Sequence, residues 1–310
     1  MISRLCGPHI LTKACCGIAL LVILVIAGAA RAAAIENPSA NVATANPVLS
    51  EHLVYNIMVG GLHVGDAMVS LDQNDAKYAT QMRVVARGVA KFLKNFHAEL
   101  KGEGAVAPSG VVPSVYARQW STDDVGADMT MTFDTSTRTA ETKERVFNPE
   151  TGKTLTEDEL PWGRSRDLKP VPANLRTNVF DPMAAFVSAR GQIMAQAARS
   201  NGKTFRVPIY DGKRRYDIVG KSGPKRSSTI NGVLRDVIPV TASLEPVFGF
   251  ARRTTEEMQE SEAKLLFTAD ARFIPVQITL TNDLLSGVMN LANDCKTNAA
   301  ACADFGKDAS

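Results

Sequence analysis

Histidine, tryptophan and cysteine are scarce in this chain of 310 residues, which holds four His, two Trp and five Cys. Beyond the N-terminal 34 residues the histidines are His52, His63 and His97, and none is spaced from another His or Cys as a metal motif requires. No G-x-S-x-G elbow, no P-loop and no G-x-G-x-x-G following a strand is present, so no nucleophile, metal or cofactor is expected. The adjacent acids Asp123 and Asp124, and likewise Glu256 and Glu257, would point to opposite faces of a strand, whereas a glycosidase needs two carboxylates facing each other. An excess of either charge is missing as well. The first 34 residues hold Arg4, Lys13 and Arg31 and no acid, so the formal net charge of +3 belongs to them and the remainder is neutral. A neutral chain offers no electrostatic case for nucleic acid. The expectation is a non-catalytic protein.

The N-terminus carries the chain's one long apolar run, residues 14–30, with Arg4 and Lys13 before it and Ala32, Ala33 and Ala34 after it. This pattern predicts a cleaved signal peptide over residues 1–34 and a periplasmic product; an uncleaved inner-membrane anchor is the alternative. Residues 35–50, small, polar and proline-containing, read as a flexible leader. Cys6, Cys15 and Cys16 leave with the signal, and Cys295 and Cys302 remain. In an oxidising compartment a pair closing so short a loop most simply forms a disulfide, contributing about 2–3 kcal/mol within the C-terminal tail, residues 295–310.

Residues 51–294 read as one domain of strands. Two apolar runs flanking Gly60 and Gly61 predict a hairpin. Alternating segments over 78–87, 96–106, 112–120, 126–134 and 138–147 follow, the first carrying Tyr78, Thr80, Met82 and Val84 on one face. Residues 148–178 form a long connection containing Trp162, an aromatic that either caps an opening or packs on the domain surface. Further strands are predicted over 205–210, 226–230, 234–244, 263–268, 275–280 and 285–291. The class is α+β and mainly β: a strongly curved antiparallel sheet or incomplete barrel packed around one long helix.

That helix is FDPMAAFVSARGQIMAQAAR, residues 180–199, with Asp181 as N-cap and Pro182 at the first helical position. At 100° per residue Met183, Phe186, Val187, Ile193, Met194 and Ala197 share an arc, with Ser188, Gln192, Gln196 and Arg199 opposite. Arg190 projects from the apolar arc. Either a structural carboxylate or carbonyl meets its guanidinium, or it faces a cavity and holds an anionic head group. Lys213, Arg214 and Arg215 follow the tight turn at Asp211-Gly212, forming either a solvated face or a rim attracting phosphate or carboxylate.

Four stretches in order, YNIMVGGLHVGDAMVSL (55–71), FDPMAAFVSAR (180–190), YDGKRRYD (210–217) and RFIPVQITLTNDLLSGVMNL (272–291), resemble the exported bacterial envelope proteins grouped under the label DUF3108. The resemblance implies an envelope protein of mostly antiparallel β structure and carries no established reaction. The implied shape is also similar to LolA-type lipid and lipoprotein binders, on fold alone.

Two functions fit. In the first, a lipid-like or lipoprotein-like ligand lies between sheet and helix, lined by Phe186, Ile193, Met194 and Trp162, with Arg190, Lys213, Arg214 and Arg215 neutralising its head group. It requires a cavity of several hundred Å3 under the helix. In the second, the core is filled and the surface contacts another envelope protein.

Overall fold

A computed structural model describes residues 49–88, 95–160, 169–197, 204–251, 255, 258, 261–281, 286–303 and 305. The expected signal segment, nearly all of the leader, Trp162 and the Glu256–Glu257 pair lie outside the described residues. Among the described residues no helix is long and apolar enough to cross a membrane.

The strands are β1 (Leu49–Val59), β2 (Leu62–Gln73), β3 (Lys77–Ala86), β4 (His97–Ala107), β5 (Gly110–Ser121), β6 (Gly126–Phe133) and β7 (Ala140–Phe147). After a helix α1 (Pro182–Ala197) come β8 (Thr204–Tyr210), β9 (Arg215–Ser222), β10 (Arg226–Ile230), β11 (Val233–Phe248), β12 (Glu262–Thr268), β13 (Pro275–Thr281) and β14 (Ser286–Asp294), then a short α2 (Ala299–Ala303). All fourteen belong to one antiparallel sheet with the order β7-β6-β5-β4-β3-β2-β1-β14-β13-β12-β11-β9-β8, and β10 pairs with β11 off that path. The first and last strands are thus neighbours at its centre, and the predicted strands fall where the alternation placed them. The β1–β2 turn uses Gly60 and Gly61 at positive φ, the twist a tight hairpin demands.

The sheet curls until its edges, β7 and β8, approach each other. The chain just before α1 joins them. Ala140 N–H donates to Arg176 O at 2.9 Å and Asn178 N–H to Arg138 O at 3.1 Å on the β7 side, while Phe180 N–H donates to Pro208 O at 2.8 Å and Tyr210 N–H to Phe180 O at 2.9 Å on the β8 side. Arg176 reinforces this seam with its guanidinium on the carbonyls of Val171 and Ala140. Edge strands that would otherwise present unpaired backbone are joined here by a few residues. The expected disulfide between Cys295 and Cys302 is formed. Outside the barrel, the β10–β11 hairpin folds over the sheet and buries Ile230 and Val237 against Leu266 and Val276.

Helix α1 runs inside this wall, packed on β3, β4, β5, β8 and β9. Here the structure corrects the amphipathic reading. Met183, Ala184, Ala185, Val187, Ala189 and Arg190 are all buried, so the first turns are enclosed on most sides rather than along one stripe. Alanine is what makes this fit, since a helix can approach a sheet closely only where its side chains are short. Gly102 of β4 completes the approach: a Cβ there would lie 2.7 Å from Met183 Cβ and 3.4 Å from Asp181 Oδ1. Replacement Gly102→Val should therefore destabilise the protein by about 1–3 kcal/mol through overpacking, read as a lower urea midpoint.

Candidate functional site

The interior holding α1 has two polar ends with an apolar middle. At the N-terminal end Asp181 is fully buried. Its Oδ1 accepts from the N–H groups of Met183 at 2.8 Å and Ala184 at 2.9 Å, capping the helix. Its Oδ2 has no hydrogen-bond partner among the described residues, and neither do Tyr78 OH and Thr80 Oγ1, both on the inner face of β3. Thr80 stands opposite Gly102 and Tyr78 opposite Gly104; the space a Cβ would take is filled by Met183 and the Thr80 methyl at Gly102 and by the Tyr78 ring and β5 backbone at Gly104. Burial lifts the Asp181 carboxyl to about 7, against the opposing hydrogen bonds from Ala184 and Met183. Burial likewise raises Tyr78, with Asp181 and Glu103 adding to it.

At the far end Arg190 is buried, and its guanidinium donates to Phe273 O at 3.2 Å and to Arg272 O. The structural carbonyl partner considered for it is present. Burial lowers its pKa, opposed mainly by the nearby Glu51 carboxylate. The accepting carbonyls sit on the turn between β12 and β13. There Phe273 adopts φ 47°, held by Asp270 Oδ1, which accepts from Arg272 N–H at 3.0 Å and Phe273 N–H at 3.2 Å. Phe273 also stacks on Phe267 with centroids 4.6 Å apart. The Arg272 side chain turns the other way and pairs with Glu51 of β1 and Asp294 of β14. Those pairings raise the pKa of Arg272 and lower that of Asp294. Glu51 is 3% exposed at its side chain, a buried carboxylate that needs this cation.

Between the ends Phe186 is half-buried, packed on the core, and beyond Arg190 Ile193 is buried. One cavity beside Phe186, bounded by Tyr55, Met82, Met183 and Met289, holds about 10 Å3. A second, bounded by Glu51, Leu53, Arg190 and Ile274, also holds about 10 Å3. Each has room for about one water. The expected space of several hundred Å3 does not lie at these residues, because the alanine-rich helix sits against the wall with its neighbours interdigitated. Met194 is 36% exposed and turns to solvent instead of lining the interior. The three consecutive cations are neutralised within the fold: Lys213 pairs with Glu144 at 2.6 Å, Arg214 with Asp211 at 3.2 Å, and Arg215 with Asp217. Two larger open hollows, of about 380 and 370 Å3, lie on the outer face of β2 to β5 and share Asp72, Ala79 and Glu103. Among the described residues no group of His, Cys, Asp and Glu could hold a metal ion.

Sequence reading found Arg190 and Phe186 in the interior but missed three things. Asp181 was legible as a cap and not as a buried acid. The Glu51–Arg272–Asp294 clasp joins residues far apart in the chain and left no local signal. Tyr78 and Thr80 were assigned to the correct face, without any sign that their hydroxyls would meet a helix end.

The architecture defines a class: a nearly closed, barrel-like antiparallel sheet with a helix enclosed in it. The chain belongs to the DUF3108 family, described as protein of unknown function, whose model matches residues 54–291. No curated protein matches the sequence. Among solved structures, a β-barrel-like protein of the domain of unknown function DUF1849 from Brucella abortus is similar, at 11% identity, over 79% of this chain and 97% of that one, with a TM-score of 0.46. A "putative lipoprotein" from Parabacteroides distasonis is similar at 10% identity over 79% of this chain and 94% of that one, with a TM-score of 0.31. Both likenesses are too distant to bear on function.

Two measurements check the ends of the interior. Replacing Arg272 by Ala leaves buried Glu51 with Lys296, at 3.8 Å, as its ion-pair partner among the described residues, and should cost about 3 kcal/mol by equilibrium denaturation. Asp181 has a folded value of about 7 against an ordinary 3.8. The folded state therefore retains a proton that the unfolded chain has released, and the stability this provides is full below the lower value and lost as pH rises through the upper one. The loss totals about 4 kcal/mol. Asp181→Asn keeps the cap, and its urea midpoint should stay level between pH 5 and pH 8 while that of the unmodified protein falls.

Proposed function

We propose that this is a non-catalytic, exported envelope protein that acts through its outer surface on a protein partner, with its interior filled by its own helix. The observation that carries this reading is the roughly 10 Å3 left on either side of Phe186, against the hollows of about 380 and 370 Å3 on the outside of the sheet. An apolar ligand of drug size needs several hundred Å3. Export follows from the N-terminal apolar run, and the disulfide suits an oxidising compartment. The absence of a nucleophile or metal motif from the sequence supports the lack of catalysis.

One observation favours the second reading, a lipid-like ligand between sheet and helix. Phe186 borders both small cavities, together with Val69 and Pro275, and its half-buried side chain is the one of the three long enough to change the space between them by rotating. Arg190 would then border that space.

The two readings separate in one experiment on protein purified from the periplasm without detergent. The surface reading expects organic extracts free of stoichiometric lipid. It also expects a cross-linked protein partner lost on Ala79→Arg, which fills the outer hollow, or on Trp162→Ala, with the thermal midpoint unchanged. A bound lipid that disappears in Arg190→Ala would overturn it in favour of the second.

A further inference from the structure

Helix α1 is held in the barrel by polar contacts of two kinds, and only one of them can respond to ordinary changes of pH. At the Arg190 end the donors are a guanidinium and the acceptors are main-chain carbonyls; a guanidinium keeps its proton at any pH a cell meets. At the Asp181 end the cap is a carboxyl with one oxygen fully used and the other unpartnered among the described residues, enclosed with the unpartnered hydroxyls of Tyr78 and Thr80. A neutral carboxyl leaves Oδ2 uncharged in this enclosure. A carboxylate can only accept, and it would place a charge where bulk water does not reach.

We propose that the Asp181 end of α1 is a proton-dependent latch: with a proton on Oδ2 the helix start is seated against β3 and β4, and loss of that proton to solvent unseats the first two turns while Arg190 keeps the remainder in place. The latch is independent of which surface or ligand the protein serves.

The groups that face this end from the surrounding elements support the assignment. Tyr78 on β3 and Tyr116 on β5 interact electrostatically with Asp181, Tyr116 interacts in turn with Arg118 and Asp211, and Tyr216 on β9 with Asp211, Tyr116 and Arg118; β4 contributes Gly102, with Glu103 acting on Tyr78. Arg118 is committed to Glu144 at 3.2 Å and Arg214 to Asp211 at 3.2 Å. Among the described residues no cation is paired with Asp181, and its shift arises from burial opposed by backbone hydrogen bonds. The tyrosines stay neutral, since burial raises Tyr78, Tyr116, Tyr210 and Tyr216. Asp181 is therefore the group at this end whose buried charge appears as the pH rises to about 7. The same end carries Gly102, so nothing larger than hydrogen separates the cap from the wall it would leave.

The test is hydrogen exchange of the full mature protein between pH 5 and pH 8, corrected for intrinsic rates, with β11 peptides as the internal reference. Amides of residues 185–189 should lose protection about tenfold per pH unit between pH 5 and pH 7, roughly a hundredfold in all, and level off above 7. In Asp181→Asn they should show no such slope. Equal slopes in both proteins would overturn the latch. Should the variant fail to fold, a 13C titration of the Asp181 carboxyl in the unmodified protein decides alone: a midpoint near 7 that coincides with the end of the loss of protection supports the latch, and a midpoint near 4 sinks it.

Discussion

An α-helix enclosed by a sheet must satisfy its first N–H groups and any charge it carries without help from bulk water. Asp181 does the first and the carbonyls of Arg272 and Phe273 do the second. Much of the surrounding architecture follows from meeting these two requirements. The β12–β13 turn is held in an unusual backbone conformation by Asp270, which aims its carbonyls inward. The side chain of Arg272 ties that turn to Glu51 and Asp294 on the two strands that lie together at the centre of the sheet. Helix, turn and the meeting point of the chain's two ends are thus one connected polar system.

Enclosure also explains the small residues. Ala184, Ala185, Ala189 and Gly102 reduce the distance between helix and wall until little space remains, and the apolar area buried there is the dominant favourable term. A fold of this outline could hold a ligand if its interior were lined by larger gaps. In this chain the helix occupies that place, which shifts attention to the outer face and to the seam, where Arg176 and residues 176–180 join the sheet's two edges. The cations of residues 213–215 lie at the β8–β9 turn, and Lys213 bridges to Glu144 of β7. Lys213 thereby helps to close the barrel, while Arg214 and Arg215 pair at the turn with Asp211 and Asp217.

Strand positions, the hairpin at Gly60-Gly61, the long helix with its Asp181-Pro182 start, and the Cys295–Cys302 pair were determined by the sequence itself. Each depends on local chemistry: alternation of side chains, φ above zero at glycine, a capping carboxylate, and two thiols close in the chain. The curvature of the sheet was legible too, because so many antiparallel strands around one helix have few other ways to bury both. Only the tertiary structure decided how completely the helix is enclosed, that Met194 faces water while Arg190 meets two carbonyls, that Lys213, Arg214 and Arg215 each have a carboxylate, and that Asp181 is a buried acid. Those outcomes depend on which residues distant in the chain arrive at the same point. Periodicity along one segment reports which side is apolar, and it carries no information about how many sides will be covered.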